Sequence, residues 1–490
     1  KQAVERYFAT ISARLGFAPD EKPGDYIGAI VCPPADLSIT NWTSDLQQKF
    51  IKQYDYDITP YMLLILDGNL PAEKTRFYDT VRRTRYDFYA FLADSYRKSF
   101  VLTFQKFCRD NGVQSCIPTG PIDIMDSCSV PTDIIQGYAS PDRLSYNIWD
   151  KIASSSAHLA DKSIAAGEVI AGVSDKLESA RVNADIAFAS GINKSVLARG
   201  SFPDERSRWW SDAGKWSERS TRLSYLFQNV RHRAGIAVIF PQGDLWSDCG
   251  PSESCMVSHF WYLFPLVYAL NQNGYTVDFV NEKIFPETTF EDGKLHFGAH
   301  AYDAIIVPDV FSMKFLTAKA LRFFAVNGGK IAFIGREPVA SPGFKDFFRQ
   351  SVAVDVTMSQ IKTNDPNQVL FIPAPQKDKD NLPAWTSEMM RKISVLPTVK
   401  ISPPSDKILF VHYLAEDRDV FYFVNTDKSA VSFRAKFDMT GKIPWSWNPD
   451  TGERKKFAQS GKSGELNISI KPASSLLLVF EPETKAKTAK

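Results

Sequence analysis

Residues 147–241 constrain the fold of this chain more than any other stretch. NIWDKIASSSAHLADKSIAAGEVIAG, ADIAFASGINKSVLARGSF and RWWSDAGKWSERSTRLSYLFQNVRHRAGIAVIFP read in turn as helix, strand, helix, strand, long helix and strand. Apolar residues recur at three- and four-residue steps in the helices and form short unbroken runs in the strands. Repeated βα units favour parallel strands, because each helix carries the chain back to the start of the sheet. The pattern predicts a (β/α) barrel, partial or complete, of the (β/α)8 type, whose chemistry stands at the carboxyl ends of its strands. Glu168 falls near such an end in SIAAGEVI, and Arg199 lies in the polar segment after the next strand.

The same reading extends upstream. KQAVERYFATISARLG is an amphipathic helix, YIGAIVCPP a buried strand, 43–54 and 71–111 helical, and VQSCIPTG another strand. Near residue 235 the character changes. GIAVIFP, the YTVDFVN run, AYDAIIVPDV and KIAFIG are apolar strands between amphipathic helices, which predicts a flavodoxin-like, doubly wound parallel sheet over 233–345. From about 361 the helical pattern fades. KILFVHYL, VFYFVNTD, VSFRAKF, IPWSWN, ELNISI and SSLLLVFEP are short strands between polar turns, the spacing of a C-terminal antiparallel β-sandwich. Segment 363–385 is polar and broken by prolines and reads as the connection. The expected organisation is a barrel-type region over 1–232, corresponding to the later part of a barrel, a doubly wound domain over 233–360, and a linker plus sandwich over 361–490. ETKAKTAK is expected as a disordered tail.

Composition excludes several functions. Basic and acidic residues nearly balance, 58 against 56, so no electrostatic footprint for nucleic acid is present. No apolar run reaches the roughly 20 residues that span a membrane; HFWYLFPLVYAL at 259–270 is short, carries a proline and reads as a buried helix. Neither GxGxxG nor GxxxxGK[ST] follows a strand, so a nucleotide site is not expected. The six cysteines form no CxxC pair and no zinc spacing. Cys108/Cys116 and Cys249/Cys255 are spaced for disulfides in an oxidising compartment, secreted or periplasmic; free cytosolic thiols fit the same count. The chain opens on Lys1, which implies processing or a longer parent.

Several segments together resemble glycoside hydrolase family 106, the α-L-rhamnosidases. They are NWTSDLQQKFIKQYDYDITPYM, FYDTVRRTRYDFYAFLADSYRKSFVLTFQKFCRDNGV, ASSSAHLADKSIAAGE, ADIAFASGIN and RWWSDAGKWSERSTRLSYLFQNVRHRAGIAVIFP. GKIPWSWNPDTGERKKF followed by SSLLLVFEP is similar to the small β-domain of many large bacterial glycosidases. The resemblance implies a (β/α)8 catalytic domain with accessory domains, inverting hydrolysis of α-L-rhamnosides in rhamnose-containing glycans, and assistance by calcium. Family members are much longer, so residues 1–232 correspond to the later part of their barrel. The open sheet edges of a half barrel are costly, so either another chain or a further segment completes it or the architecture is altered.

Inverting hydrolysis needs a carboxylic acid to protonate the leaving oxygen and an ionised carboxylate to activate water, about 6.5–9.5 Å apart. Glu168 and Asp36 are the candidates. Glu168 matches a family glutamate in a similar Ala-Ala-x-Glu strand. Asp36, in Pro33-Pro34-Ala35-Asp36, stands where the family has a glutamate in an Asp-Ser-x-Glu context. Asp is shorter by one methylene, and a displacement of about 1 Å can cost about a hundredfold in rate. Arg199 occupies a loop that bears a histidine in the family, and reads as a sugar contact or as a carboxylate's partner. Asp123 and Asp126 read as substrate contacts, oxygen ligands or helix caps. Trp209, Trp210 and Trp216 offer a sugar platform, although a helical register turns Trp209 and Trp216 into the barrel wall. His158 reads as a core histidine. SDCGPSESC reads as a surface loop. No DxDxDG spacing marks a local calcium loop, so the calcium ligands are unassigned. A non-catalytic carbohydrate-binding or assembly relative, and a glycosidase for a different sugar, are the alternatives.

Overall fold

The computed structural model describes residues 2–16, 21–32, 42–66, 77–119, 132–137, 148–169, 177–197, 210–250, 261–458 and 464–483. The first short apolar runs form β1 (Ala29–Val31), β2 (Gln114–Pro118), β3 (Ile134–Gln136), β4 (Ala165–Val169) and β5 (Lys194–Leu197). They pair in parallel and in chain order, which makes a half-barrel sheet with β1 and β5 at its edges. Helices α1 (Gln2–Leu15), α2 (Leu46–Tyr54), α3 (Met62–Leu66), α4 (Tyr78–Tyr96), α5 (Leu102–Asp110), α6 (Ile148–Leu159), α7 (Leu177–Ala189) and α8 (Ala213–Gln228) accompany it. Of the helical stretch expected over 71–111, residues 71–76 lie outside the described residues, and the rest contains α4 and α5 joined by a π-helical turn at Arg97–Val101.

β6 (Arg231–His232) leads into a second parallel sheet: β7 (Ile236–Ile239), β8 (Val277–Val280), β12 (Ala304–Pro308), β13 (Lys330–Ile334) and β14 (Val369–Ile372). Its order is β8-β7-β12-β13-β14. Between β8 and β12 runs a small antiparallel sheet of β9 (Thr289–Glu291), β10 (Lys294–Phe297) and β11 (His300–Tyr302). Asp292 and Gly293 both take positive φ in the β9–β10 turn, 51° and 69°, as a two-residue hairpin with the sheet's twist requires. Helices α9 (Gln242–Cys249), α10 (Leu263–Gln272), α11 (Phe315–Val326), α12 (Phe347–Ile361) and α13 (Leu382–Lys392) complete this region.

The structure departs from two of the sequence expectations in this region. Segment 363–385, read as a connection, contains β14, the edge strand paired with β13, and the start of α13. Its four-residue apolar run sits between prolines and polar residues, too short to stand out. SDCGPSESC is not simply a surface loop, since Ser247, Asp248 and Cys249 are buried at the end of α9.

The remaining strands form two antiparallel sheets. One contains β15 (Val399–Ser402), β18 (Val431–Phe437) and β21 (Glu465–Ile470). The other orders β20 (Arg454–Lys456), β19 (Lys442–Trp447), β22 (Ser475–Pro482), β17 (Arg418–Asn425), β16 (Ile408–Ala415) and β6. The sheets share a core of Phe410, Phe421, Phe423, Phe433, Phe437 and Phe480. β18 alternates buried and exposed residues, whereas β17 is buried from Asp419 to Asn425. The larger sheet is covered on both faces, its second one by Phe188, Trp216, Leu223 and Phe227 of α7 and α8. That is why its sequence runs are continuously apolar.

Among the described residues, three buried ion-pair groups join these bodies. On α8, Arg219 holds Asp185 of α7 at 2.5 and 3.0 Å and reaches the Tyr422 hydroxyl on β17 at 3.1 Å. On α4, Arg82 meets Asp244 (2.5 Å) and Asp248 of α9 and lies 4.7 Å over the Phe311 ring. The third group centres on Asp278 of β8. Lys151 Nζ, Ser155 Oγ and His158 Nδ1, all on α6, each lie 3.1 Å from its Oδ1. His232 Nδ1 of β6 is 3.5 Å from Oδ2 and its ring stacks on His158 at 4.0 Å. Burial opposes the Asp278 charge, yet Lys151 and the imidazoles hold its carboxyl well below the usual range. Burial also pushes both histidines down, so at neutral pH Lys151 carries the charge that faces Asp278 and the imidazoles act on it chiefly by hydrogen bonding.

Removing the acceptor strands a buried ammonium, which costs about 3–5 kcal/mol. Asp278→Ala therefore lowers the urea midpoint sharply, whereas Arg391→Ala, on an exposed pair with Glu388, leaves it in place. The lowered histidine pKa values fix a pH dependence. At these two positions the unfolded chain binds more protons than the folded one below the ordinary histidine value of about 6.5, so their contribution to stability is full above it and is lost as pH drops. Comparing urea unfolding between pH 7.5 and 5.5 in the wild type and in His158→Gln with His232→Gln isolates this contribution, the variant losing less stability on acidification while buried His412, also pushed down, keeps its share.

Candidate active site

Strand β4 reads Ala165-Ala166-Gly167-Glu168-Val169, and its small residues let α6 approach. A Cβ on Gly167 would stand 2.7 Å from Asp150 Oδ1 on α6, and one on Gly137 2.5 Å from the same atom. Gly167 therefore faces the helix layer. Side chains alternate along a strand, so Glu168 turns the opposite way, into the half-barrel interior near the carboxyl end of β4. The sequence placement of Glu168 agrees with this position.

Register builds the rest of that face. Cys116 of β2, Ile134 and Gln136 of β3, and Ala166 of β4 share it, with Lys194 paired to Ala166 and Val196 to Glu168. Gln136 is 2% exposed. Its Nε2 donates to Glu168 Oε1 at 3.1 Å, and its Oε1 accepts from Cys116 Sγ at 3.4 Å. Burial pushes the Cys116 thiol up to about 12, opposed by the Lys194 charge and assisted by Glu168. The thiol is therefore a donor, and three adjacent strands carry one hydrogen-bonded line ending on the carboxylate.

Sequence reasoning missed Gln136 and Cys116. The available signal was a polar side chain closing a three-residue apolar strand, Ile134-Ile135-Gln136, just before Gly137. Of the other candidates, Asp36, Asp123, Asp126, Arg199 and Trp209 lie outside the described residues. Trp216 is buried on α8 against the larger antiparallel sheet, as wall packing requires. His158 is the core histidine expected. The Cys108/Cys116 pairing is not made: both are free thiols, Cys108 among Phe8, Val101 and Phe104 on the helix side of β2 and Cys116 on the inner face. Cys249 is disulfide-bonded.

Among the described residues, one group has the ligand atoms to hold a metal, His158, His232 and Asp278, all within 4.8 Å. It does not fit calcium, which takes six to eight oxygens, and Lys151 already neutralises its carboxylate.

An inward carboxylate near a strand end of a parallel half barrel is the setting in which comparison with known proteins becomes decisive. Residues 1–460 match the model of glycoside hydrolase family 106, alpha-L-rhamnosidase. The chain belongs to glycoside hydrolase family 106. A curated relative named "Putative beta-glucuronidase", from Formosa agariphila, is 20% identical over 95% of this chain and 40% of its own length. The rhamnosidase of Novosphingobium sp. PP1Y superposes with a TM-score of 0.68 at 18% identity, covering 98% of this family 106 chain and 47% of that one. A beta-galactosidase from Bacillus circulans sp. alkalophilus gives a TM-score of 0.58 at 10% identity over 90% of this chain and 77% of its own. These likenesses show a shared fold. The chain spans less than half the length of the first two relatives.

Gly167 is the test of how Glu168 is aimed. Gly167→Ala drives a methyl against Asp150 and, at 3.1 Å, Ile192. Overpacking of this kind costs about 1–3 kcal/mol. Thermal unfolding is expected to register that loss, and an unchanged midpoint contradicts the packing described.

Proposed function

We propose that this chain carries the later part of an inverting α-L-rhamnosidase site, acting on terminal rhamnosides of plant or bacterial glycans. The observation that carries the reading is Glu168, turned inward near the end of β4 and taking an N–H from Gln136, in a chain of family 106. A donor on a carboxylate favours its ionised form, so Glu168 takes the base role. It removes a proton from water as the water oxygen bonds to the anomeric carbon. Asp36 is the acid, protonating the glycosidic oxygen as its bond to that carbon breaks on the opposite face. Arg199, Asp123, Asp126 and Trp209 are proposed as sugar contacts, and calcium as an assisting ion held by residues other than the Asp278 group.

The reading divides the chain into a barrel region over 1–232, a flavodoxin-like domain over 233–360 and a linker with β-sandwich over 361–490. Another chain or segment completes the barrel. The disulfide at Cys249 supports a secreted or periplasmic location.

The test uses the full-length protein that contains this chain. Glu168→Gln and Asp36→Asn are each expected to lower kcat/KM on an aryl α-L-rhamnoside by about 10²–10⁴, with unfolding midpoints unchanged. Proton NMR of the first product is expected to show the inverted anomer. Unchanged rates in both variants sink the assignment. Two observations favour other readings. The name of the Formosa relative makes aryl β-D-glucuronides the comparison substrates. The Asp36 context and the missing histidine after β5 favour a non-catalytic carbohydrate-binding relative, which calorimetric binding without turnover on either substrate would establish.

A further inference from the structure

We propose that Gln136 is a positioning residue, clamped by Cys116, that holds the Glu168 carboxylate ionised and fixes which oxygen it presents. The inference rests on the proposed catalytic use of Glu168 and adds residues that reading does not need.

The direction of the line is set chemically. A side-chain amide has one accepting and one donating end. The Cys116 thiol is protonated and donates to the amide oxygen, which turns the amide nitrogen to Glu168 Oε1. In the reverse orientation an amide oxygen would face the carboxylate oxygen, repulsive unless Glu168 were protonated. The clamp stands in apolar surroundings formed by Cys116, Ile134 and Ala166, where a hydrogen bond is stronger than in water and a wrong orientation costs more. Without Cys116 nothing on β2 would distinguish the two orientations.

Among the described residues, the other charged group on this face of the sheet is Lys194 of β5, paired with Ala166, whose charge also favours an ionised carboxylate. Asp150 of α6 lies behind the sheet, against Gly137 and Gly167. Glu168 has further contacts, so Gln136 sets part of its environment.

The experiment is a pH profile of kcat/KM on an aryl α-L-rhamnoside with the full-length protein. Its acidic limb reports the free enzyme's base. Gln136→Leu, similar in volume and without the donor, is expected to move that limb up by about one unit, a tenfold loss at acidic pH that shrinks towards the plateau. Cys116→Ser keeps a donor and the wild-type limb, whereas Cys116→Ala moves it part of the way. A loss uniform across pH in Gln136→Leu, or Cys116→Ser behaving like Cys116→Ala, overturns the proposal and leaves a structural role. Carbon-13 NMR titration of δ-labelled glutamate, assigned with Glu168→Gln, reads the same shift without turnover. The clamp thus stands or falls even if rhamnoside hydrolysis is not the reaction, and an unmoved Glu168 titration in both Gln136→Leu and Cys116→Ala refutes it.

Discussion

The carboxylate of Asp278 is the point on which the rest of the molecule depends. It belongs to β8 of the second sheet, yet α6 of the half barrel supplies Lys151, Ser155 and His158, and β6 of the antiparallel sheet supplies His232. A buried carboxylate is tolerable only when paired and hydrogen-bonded, so the three bodies can meet in just one relation. The consequence reaches the candidate site. With one face of α6 pinned to Asp278, the other presents Asp150 to Gly137 and Gly167 and Ser154 to the Ser190 carbonyl at 2.6 Å. Gly167 decides which way Glu168 points. A charge network on one side of the helix therefore sets the aim of a carboxylate on the other.

A second junction lies at the carboxyl end of the second parallel sheet, where strand order reverses; in open parallel sheets such a crevice ordinarily binds ligands. Here the reversal lies between β7 and β12. Arg82 of α4 enters beside it, paired with Asp244, while Asp244 also accepts from the Phe311 and Ser312 backbone and the Ser312 hydroxyl. Nearby, Arg83 donates to the carbonyls of Ser341 and Gly343, and Asp87 accepts from the Phe344 N–H. Beside this crevice α4 is joined to the second sheet's helix α9 and to the segment after β12 through the Arg82 guanidinium and Asp244.

Much of this architecture was legible because burial leaves periodic traces. The βα alternation over 147–241 and the paired apolar runs KILFVHYL and VFYFVNTD became β4, β5, β7, β16 and β17. What escaped notice was short or borrowed its stability from elsewhere. β14 is four residues whose worth comes from pairing with β13, and β6 is two residues that exist because β16 lies beside them. The Cys108/Cys116 spacing suggested a bridge, but one faces the helix layer and the other the barrel interior. At the site, Glu168 was visible because a charge near a strand end is conspicuous. Gln136 was not, since its meaning comes from neighbours 20 and 32 positions away in sequence.

Helix α6 is buried at every position except Ile148 and His158. Its Trp149, Ile152 and Leu159 belong to the core of the second sheet, while Ala153 and Ala157 belong to that of the half barrel. A helix shared between two cores cannot be assigned to either. The half barrel and the sheet behind it therefore lack the independence that lets modules be shuffled between genes. A recombination event between them would leave one partner without a wall, so they are expected to travel through evolution as a single heritable piece.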